Sequence, residues 1–347
     1  MRHFIDSSPL ALESGEILSG FELAYTDIGP PDAPVIWVCH ALTANADVLD
    51  WWSGLFGNGA LFNPGSHRII CANILGSCYG STGPLSPDPG TGRTYGHGFP
   101  TISIRDIVAT LNRLRAHLGI GTIDVLIGGS LGGQQAMEWA HLLGTQCRQL
   151  VLMATNARHS AWGIALNEAQ RMAIEADGTW SQDTPDAGDA GMRAARAMAL
   201  ASYRHYGAYE QAQTDPEPTL GGHKAQSYQR YQGEKLSRRF NAFSYYRLSQ
   251  AMDSHHMGRG RTSLAEALGE IQARTLVIGI ETDVLFPPSE QVFLSEHIPD
   301  SRFQLIPSDY GHDGFLIETA TLATVIGDFL QESILESPAA LGKSADR

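Results

Sequence analysis

The sequence predicts an α/β fold, a mostly parallel sheet with a helical domain inserted into it. Three observations predict this. Short apolar runs alternate with helix-patterned stretches, the alternation stops after Ala154 and resumes at Arg274, and one glycine-crowded turn at 128–133 joins a strand to a helix. Residues 35–39 (VIWVC) and 68–73 read as the first buried strands. A helical pattern covers 102–118, followed by a strand at 123–127, a helix at 131–143 and a strand at 149–154. Alternation of this kind places parallel strands in the middle and helices on both faces. From about Arg158 to Gln272 no strand pattern stands out, and helix-forming stretches such as 192–206 and 227–252 dominate. The strands return at 275–280 and 303–306. The expected organisation is thus a core over 1–157, a helical lid over 158–272, the rest of the core over 273–335, and a disordered tail over 336–347.

With 347 residues, 43% of them hydrophobic, the chain can bury a large core. Its net charge of −13 argues against nucleic acid or an anionic membrane as partner. No apolar stretch approaches the ~18 residues of a membrane span, and the first ten residues lack the pattern of a signal peptide. Cys39, Cys71, Cys78 and Cys147 show neither CxxC nor zinc-ligand spacing, which fits a reduced, cytoplasmic protein. His255-His256 has no further ligands at metal spacing, so no metal site is expected.

Gly128-x-Ser130-x-Gly132 fits a nucleophile elbow, in which a serine sits on a tight strand-to-helix turn. In a chain this rich in glycine the string alone should occur by chance about 0.3 times, so its context decides. A strand precedes it and a helix follows. A serine nucleophile needs a base, and the base an orienting carboxylate, in the chain order Ser, Asp or Glu, His. "TLVIGIETDVLFPP" ends a strand and delivers Asp283 into a loop, and "FQLIPSDYGHDGF" does the same for His312. Ser130, Asp283 and His312 are the candidate triad, with Asp309 the rival carboxylate nearest in sequence. The amide of Leu131, at the helix start, and that of Leu42, in the turn after the first strand, are the candidate oxyanion donors.

The segments "CHALTANADV", "DWWSGLFG", "CANILGSCYGSTGP", "GGSLGGQQAMEWA", "SAWGIALNEAQRMAI", "YQGEKLSRRFNAFSYY", "AMDSHHMGRGR" and "YGHDGFL" together resemble the homoserine O-acetyltransferase family, over about residues 20–335. Two positions depart from the pattern: Leu131 stands where methionine is usual, and Ser77 where the family's "GGCYG" has glycine. The resemblance implies an α/β-hydrolase fold with an inserted helical lid. It implies acetyl transfer from acetyl-CoA to L-homoserine, towards methionine, by a ping-pong route through an acetyl-serine, with no permanently bound cofactor and usually in a homodimer. Carried over position by position, it implies that Arg196 grips the homoserine carboxylate, Tyr203 lines the pocket and Asp313 holds the ammonium group. A succinyl donor, a serine acceptor, or hydrolysis by the same triad are the competing readings.

Overall fold

The computed structural model describes residues 1–335, so the tail expected over 336–347 lies outside the described residues. The strands are β1 (Arg2–Asp6), β2 (Leu10–Ala11), β3 (Ile17–Leu18), β4 (Phe21–Ile28), β5 (Val35–Cys39), β6 (Arg68–Ala72), β7 (Ile123–Gly129), β8 (Cys147–Met153), β9 (Arg274–Ile280) and β10 (Ser301–Ile306). Eight of them form one sheet in the order β1-β4-β6-β5-β7-β8-β9-β10, while β2 and β3 pair separately. From β6 to β10 neighbouring strands are parallel. Strand β4 runs antiparallel to β6, and β1 antiparallel to β4. The sequence reading missed this antiparallel corner. Edge strand β1 buries only Phe4, and a strand that faces water along one edge needs little apolar patterning.

Inner strands β5 and β7 are buried along nearly their whole length, and successive side chains enter opposite faces. The first helix is the single turn α1 (Val48–Trp51). Trp37, Leu126, Leu150 and Val277 point into one core, under α2 (Ile104–His117) and α3 (Leu131–Leu143). Ile36, Val38, Ile127, Val151 and Ile278 point into the other, which the C-terminal helix (Thr319–Leu335) closes with Leu322, Ile326 and Phe329. Continuous apolar runs are what strands covered on both faces require.

Between β8 and β9 the regular elements are helices, α4 (Ala161–Glu175), α5 (Asp189–Tyr203), α6 (Tyr206–Gln213), α7 (Lys224–Ser237), α8 (Ala242–Asp253) and α9 (Leu264–Gly269), apart from one isolated bridge between Arg158 and His256. The helix expected over 227–252 is two. Asn241 breaks it by capping α8, its side chain accepting the Ser244 amide at 2.8 Å, while Phe240 before it turns into the core. Where the chain leaves and re-enters the sheet it pairs with itself: Met257 N–H donates to the Ala157 carbonyl at 2.8 Å and His159 N–H to the His255 carbonyl at 3.0 Å. Arg105 of α2 fastens this neck by donating to the carbonyls of His256 and Met257. Glu138 of α3, 3% exposed on its side chain, pairs with both Arg105 (3.1 Å) and Arg261 (2.7 Å).

Candidate active site

Ser130 follows β7 directly, at φ 56 and ψ −127. A non-glycine residue held there costs about 1–3 kcal/mol, so its surroundings must impose it. They do: the Ser130 amide donates to the Met153 carbonyl at 3.0 Å, and its own carbonyl accepts the Thr155 hydroxyl and the Gly133 amide, both at 2.9 Å. The flanking glycine at 132 is required by space, since a Cβ there would lie 2.0 Å from the Cys39 carbonyl oxygen. Helix α3 can therefore press its first turn against the end of β5, and its amide end faces the serine.

Asp283 follows β9 and is buried, with both carboxylate oxygens engaged. One accepts the amides of Leu285 (2.8 Å) and Phe286 (2.9 Å), and the other accepts His312 Nδ1–H at 2.7 Å. That bond fixes the tautomer: Nδ1 carries the proton and Nε2 is left with a free lone pair. Asp309 lies exposed, and it is Asp283 that holds His312 Nδ1. Phe286 stacks on the imidazole (centroids 5.1 Å apart, 28°), while Phe315 and Tyr203 close on it at 5.3 and 5.6 Å. Gly311 (φ 62) places the histidine loop directly against the end of α5, where a Cβ would meet the Tyr203 carbonyl oxygen at 2.8 Å and the His205 amide at 2.9 Å.

Ser130 and His312 line one cavity of 470 Å³, together with Leu42, Arg196, Tyr203 and Asp313. The amides of Leu42 and Leu131, both buried, donate to no acceptor among the described residues. Buried N–H groups without partners are uncommon, and two beside one serine suit a developing oxyanion. All three expected triad residues and the expected pocket residues are therefore brought to one place. No group of three His, Cys, Asp or Glu side chains among the described residues is arranged to hold a metal ion.

Comparison with known proteins bears on the fold and the family. A family model described as alpha/beta hydrolase fold matches residues 34–319. The homoserine O-acetyltransferase of Cyclobacterium marinum is 47% identical over 333 residues, covering 95% of both chains. That of Chlorobaculum tepidum is 43% identical, over 97% of this chain and 96% of the other. This chain belongs to the homoserine O-acetyltransferase family. The crystal structure of a homoserine O-acetyltransferase from Staphylococcus aureus superposes with a TM-score of 0.78 at 29% identity, over 95% of each chain. An acetylester hydrolase from Corynebacterium glutamicum also superposes, with a TM-score of 0.84 at 20% identity over 95% of both chains, which shows the shared fold alone.

In this member of the homoserine O-acetyltransferase family, the two departures from the pattern fall differently. Leu131 is fully buried and leaves its amide in place, while Ser77 lines a second hollow of 370 Å³ rather than the catalytic cavity. Four contributors escaped the sequence reading. Arg204, just past α5, approaches Asp313 at 2.9 Å (Nε–Oδ2). Burial raises the Asp313 carboxyl above its ordinary range, and Arg204, His312 and Arg196 pull it back down. Arg196 has no carboxylate within ion-pair distance among the described residues and lies 5.5 Å over the Tyr203 ring. His40, which burial pushes down to about 4, is neutral: its Nδ1–H donates to the Ala41 carbonyl at 2.8 Å and its Nε2 accepts the Ile74 amide at 3.3 Å. It thereby holds the turn that carries Leu42. Lys235 and Arg239 also line the cavity.

Proposed function

We propose that this chain transfers an acetyl group from acetyl-CoA to the hydroxyl of L-homoserine, through an acetyl ester on Ser130. The observation that carries this reading is the single cavity that joins an elbow serine, a bonded His312–Asp283 pair and the uncompensated Arg196 beside Asp313. A plain esterase has no use for the last two. A zwitterionic acceptor needs one cation and one anion on either side of it.

In the first half-reaction His312 Nε2 takes the Ser130 proton as Oγ attacks the thioester carbon. The oxyanion forms against the amides of Leu42 and Leu131. The C–S bond then breaks, and the thiolate leaves as a thiol with the proton from His312. In the second half-reaction the homoserine hydroxyl gives its proton to His312 and attacks the acetyl-serine. The new ester forms, the bond between the acyl carbon and Ser130 Oγ breaks, and Ser130 regains the proton. Asp283 stays ionised and stabilises the imidazolium in both steps. Arg196 binds the acceptor's carboxylate and Asp313 its ammonium group, with Tyr203 as the wall between them. The segment 158–272 serves as the lid that keeps water from the ester.

We also place the protein in the cytoplasm as a homodimer, without a permanently bound cofactor or metal. No helix among the described residues is long and apolar enough to cross a membrane. Met172, Tyr206 and Tyr231 on the inserted helices, and Leu220 in the loop between α6 and α7, leave apolar surface exposed, which supports association of two copies there. The decisive assay measures thiol release from acetyl-CoA and succinyl-CoA, each with homoserine, serine or water. Acetyl-CoA with homoserine should exceed every other combination, and intact wild-type protein should gain one acetyl mass on Ser130. Faster turnover with water than with homoserine would make it a hydrolase and overturn the reading.

A further inference from the structure

The acceptor accounts for Arg196 and Asp313, but the cavity has two further cations at its rim. Lys235 lies in the last turn of α7, and Arg239 follows four residues later. Both are exposed. The Arg239 guanidinium donates to the Thr43 carbonyl and the Tyr79 hydroxyl, which are neutral acceptors, so its charge is not compensated. Lys235 has no hydrogen bond or ion pair among the described residues. Many of the other arginines stand in ion pairs, for example Arg68 on Asp27, Arg113 on Asp6 and Arg171 on Asp253.

Chance is a poor account of this placement. The chain has three lysines, at 224, 235 and 343, and a net charge of −13, yet one of the three stands at the mouth of the catalytic cavity. The cavity walls carry three fixed cations, Arg196, Lys235 and Arg239, against two carboxylates, Asp50 and Asp313. Asp313 is further offset by Arg204. A volume of 470 Å³ admits an acyl group and part of an uncharged thiol arm but cannot enclose a nucleotide as well. Whatever carries the arm must leave its charged end at the rim. Two unpaired cations there attract phosphoryl groups, both in the encounter and in the bound state.

Resting on the acyltransferase reading, we infer that Lys235 and Arg239 form the binding site for the phosphate groups of the thioester donor. This site lets an acidic protein accept a polyanionic substrate without a phosphate-binding glycine loop. It also divides the cavity: Arg196 and Asp313 address the acceptor beside His312, and the end of α7 addresses the donor at the entrance.

The test compares acetyl-CoA with S-acetylpantetheine, which presents the same thioester and no phosphate. Lys235 is the cleaner position, because Arg239 also holds the Thr43 carbonyl in the turn that carries Leu42. In Lys235→Ala the preference in kcat/KM for acetyl-CoA over S-acetylpantetheine should fall about tenfold, with a higher KM for acetyl-CoA. Lys235→Glu should lower it further, and Lys235→Arg should restore most of it. The salt dependence of kcat/KM for acetyl-CoA should become shallower in the alanine variant. Acetyl-dephospho-CoA then separates the two phosphate sources: if it loses the same factor, the site reads the pyrophosphate, and if it is indifferent to Lys235, the site reads the 3′-phosphate. An unchanged preference in Lys235→Ala, or equal losses for both thioesters, overturns the inference while leaving the acyltransferase reading intact. Failure of the wild type to release thiol from acetyl-CoA overturns both.

Discussion

The strand-end loops and the inserted helices both line the catalytic cavity, but they are built on different principles. Ser130, Asp283 and His312 stand at the ends of strands β7, β9 and β10, and each is fixed by backbone: an imposed φ at the serine, two amides on the carboxylate, and a glycine turn ahead of the histidine. Arg196, Arg204, Lys235 and Arg239 come from the insertion, and long flexible side chains deliver their charge. The difference teaches a division of labour. On the proposed mechanism the sheet would supply the chemistry common to both half-reactions, and the insertion would decide which molecules donate and accept.

The comparison can be broken most directly at Ser130. Ser130→Ala should lower acetyl transfer by about 10⁴-fold or more and abolish the acetyl mass increment, because no other group forms the ester. Ordinary turnover in that variant would remove the sheet's claim to the chemistry. Asp283→Asn should cost about 10³–10⁴-fold in thiol release, with or without acceptor, since the His312 tautomer and its charged form both depend on that carboxylate. A loss confined to one half-reaction would contradict the division from the sheet's side.

Arg196→Ala tests it from the other side. The KM for homoserine should rise about 100-fold, in line with a lost charge-assisted pair, while the pre-steady-state burst of CoA stays near the wild-type rate. Acetate should then accumulate as water captures the acyl-enzyme. A burst that falls as far as overall turnover would place Arg196 in the donor site or the fold. Arg204→Ala should have a smaller effect of the same kind, about tenfold, because Arg204 reaches the acceptor only through Asp313.

The smallest expected effect concerns pH and the neck of the insertion. Burial holds His159 and His40 down at about 4 and His255 at about 3, while the unfolded rings titrate near 6.5. Between those values the unfolded chain binds more protons than the folded one. Their contribution is therefore complete above pH 6.5 and shrinks as pH falls towards 4. The Tm should drop steadily from pH 7 to pH 4.5, and amides of the neck, His159 and Met257, should lose hydrogen-exchange protection before those of β5 and β7. A flat Tm over that range would mean the rings are not held neutral.

The same division explains what could be read from the sequence. β5, β7, β8 and β9 announced themselves because strands covered on both faces must be apolar throughout, and the elbow because its glycines answer a backbone collision. Asp283 and His312 were legible by chain order and by their position after strands. Strands β1 and β4 were not, since β1 buries one residue and β4 grows polar towards its end. Arg204 carries no local pattern, and Lys235 and Arg239 lie within the quoted segment YQGEKLSRRFNAFSYY without any spacing that marks a role. Their significance depends on how the ends of α5 and α7 are turned towards the sheet, a long-range arrangement that spacing along the chain does not encode. Arg196 became a candidate only through family resemblance, for the same reason.

The close approach at Gly311 has a consequence for redesign. Acceptor preference invites exchange of the whole insertion, and the neck at Ala157 and Met257 marks an obvious pair of splice points. Yet the backbone of 203–205 sits against Gly311 with no room for a single added carbon. A graft cut at the neck would set a foreign helix end against a native histidine loop, and the mismatch would appear as a displaced base rather than as altered acceptor choice. The smallest exchangeable cassette is therefore discontinuous: the inserted helices must travel with the 308–313 loop, although more than a hundred residues of chain lie between that loop and the end of α5.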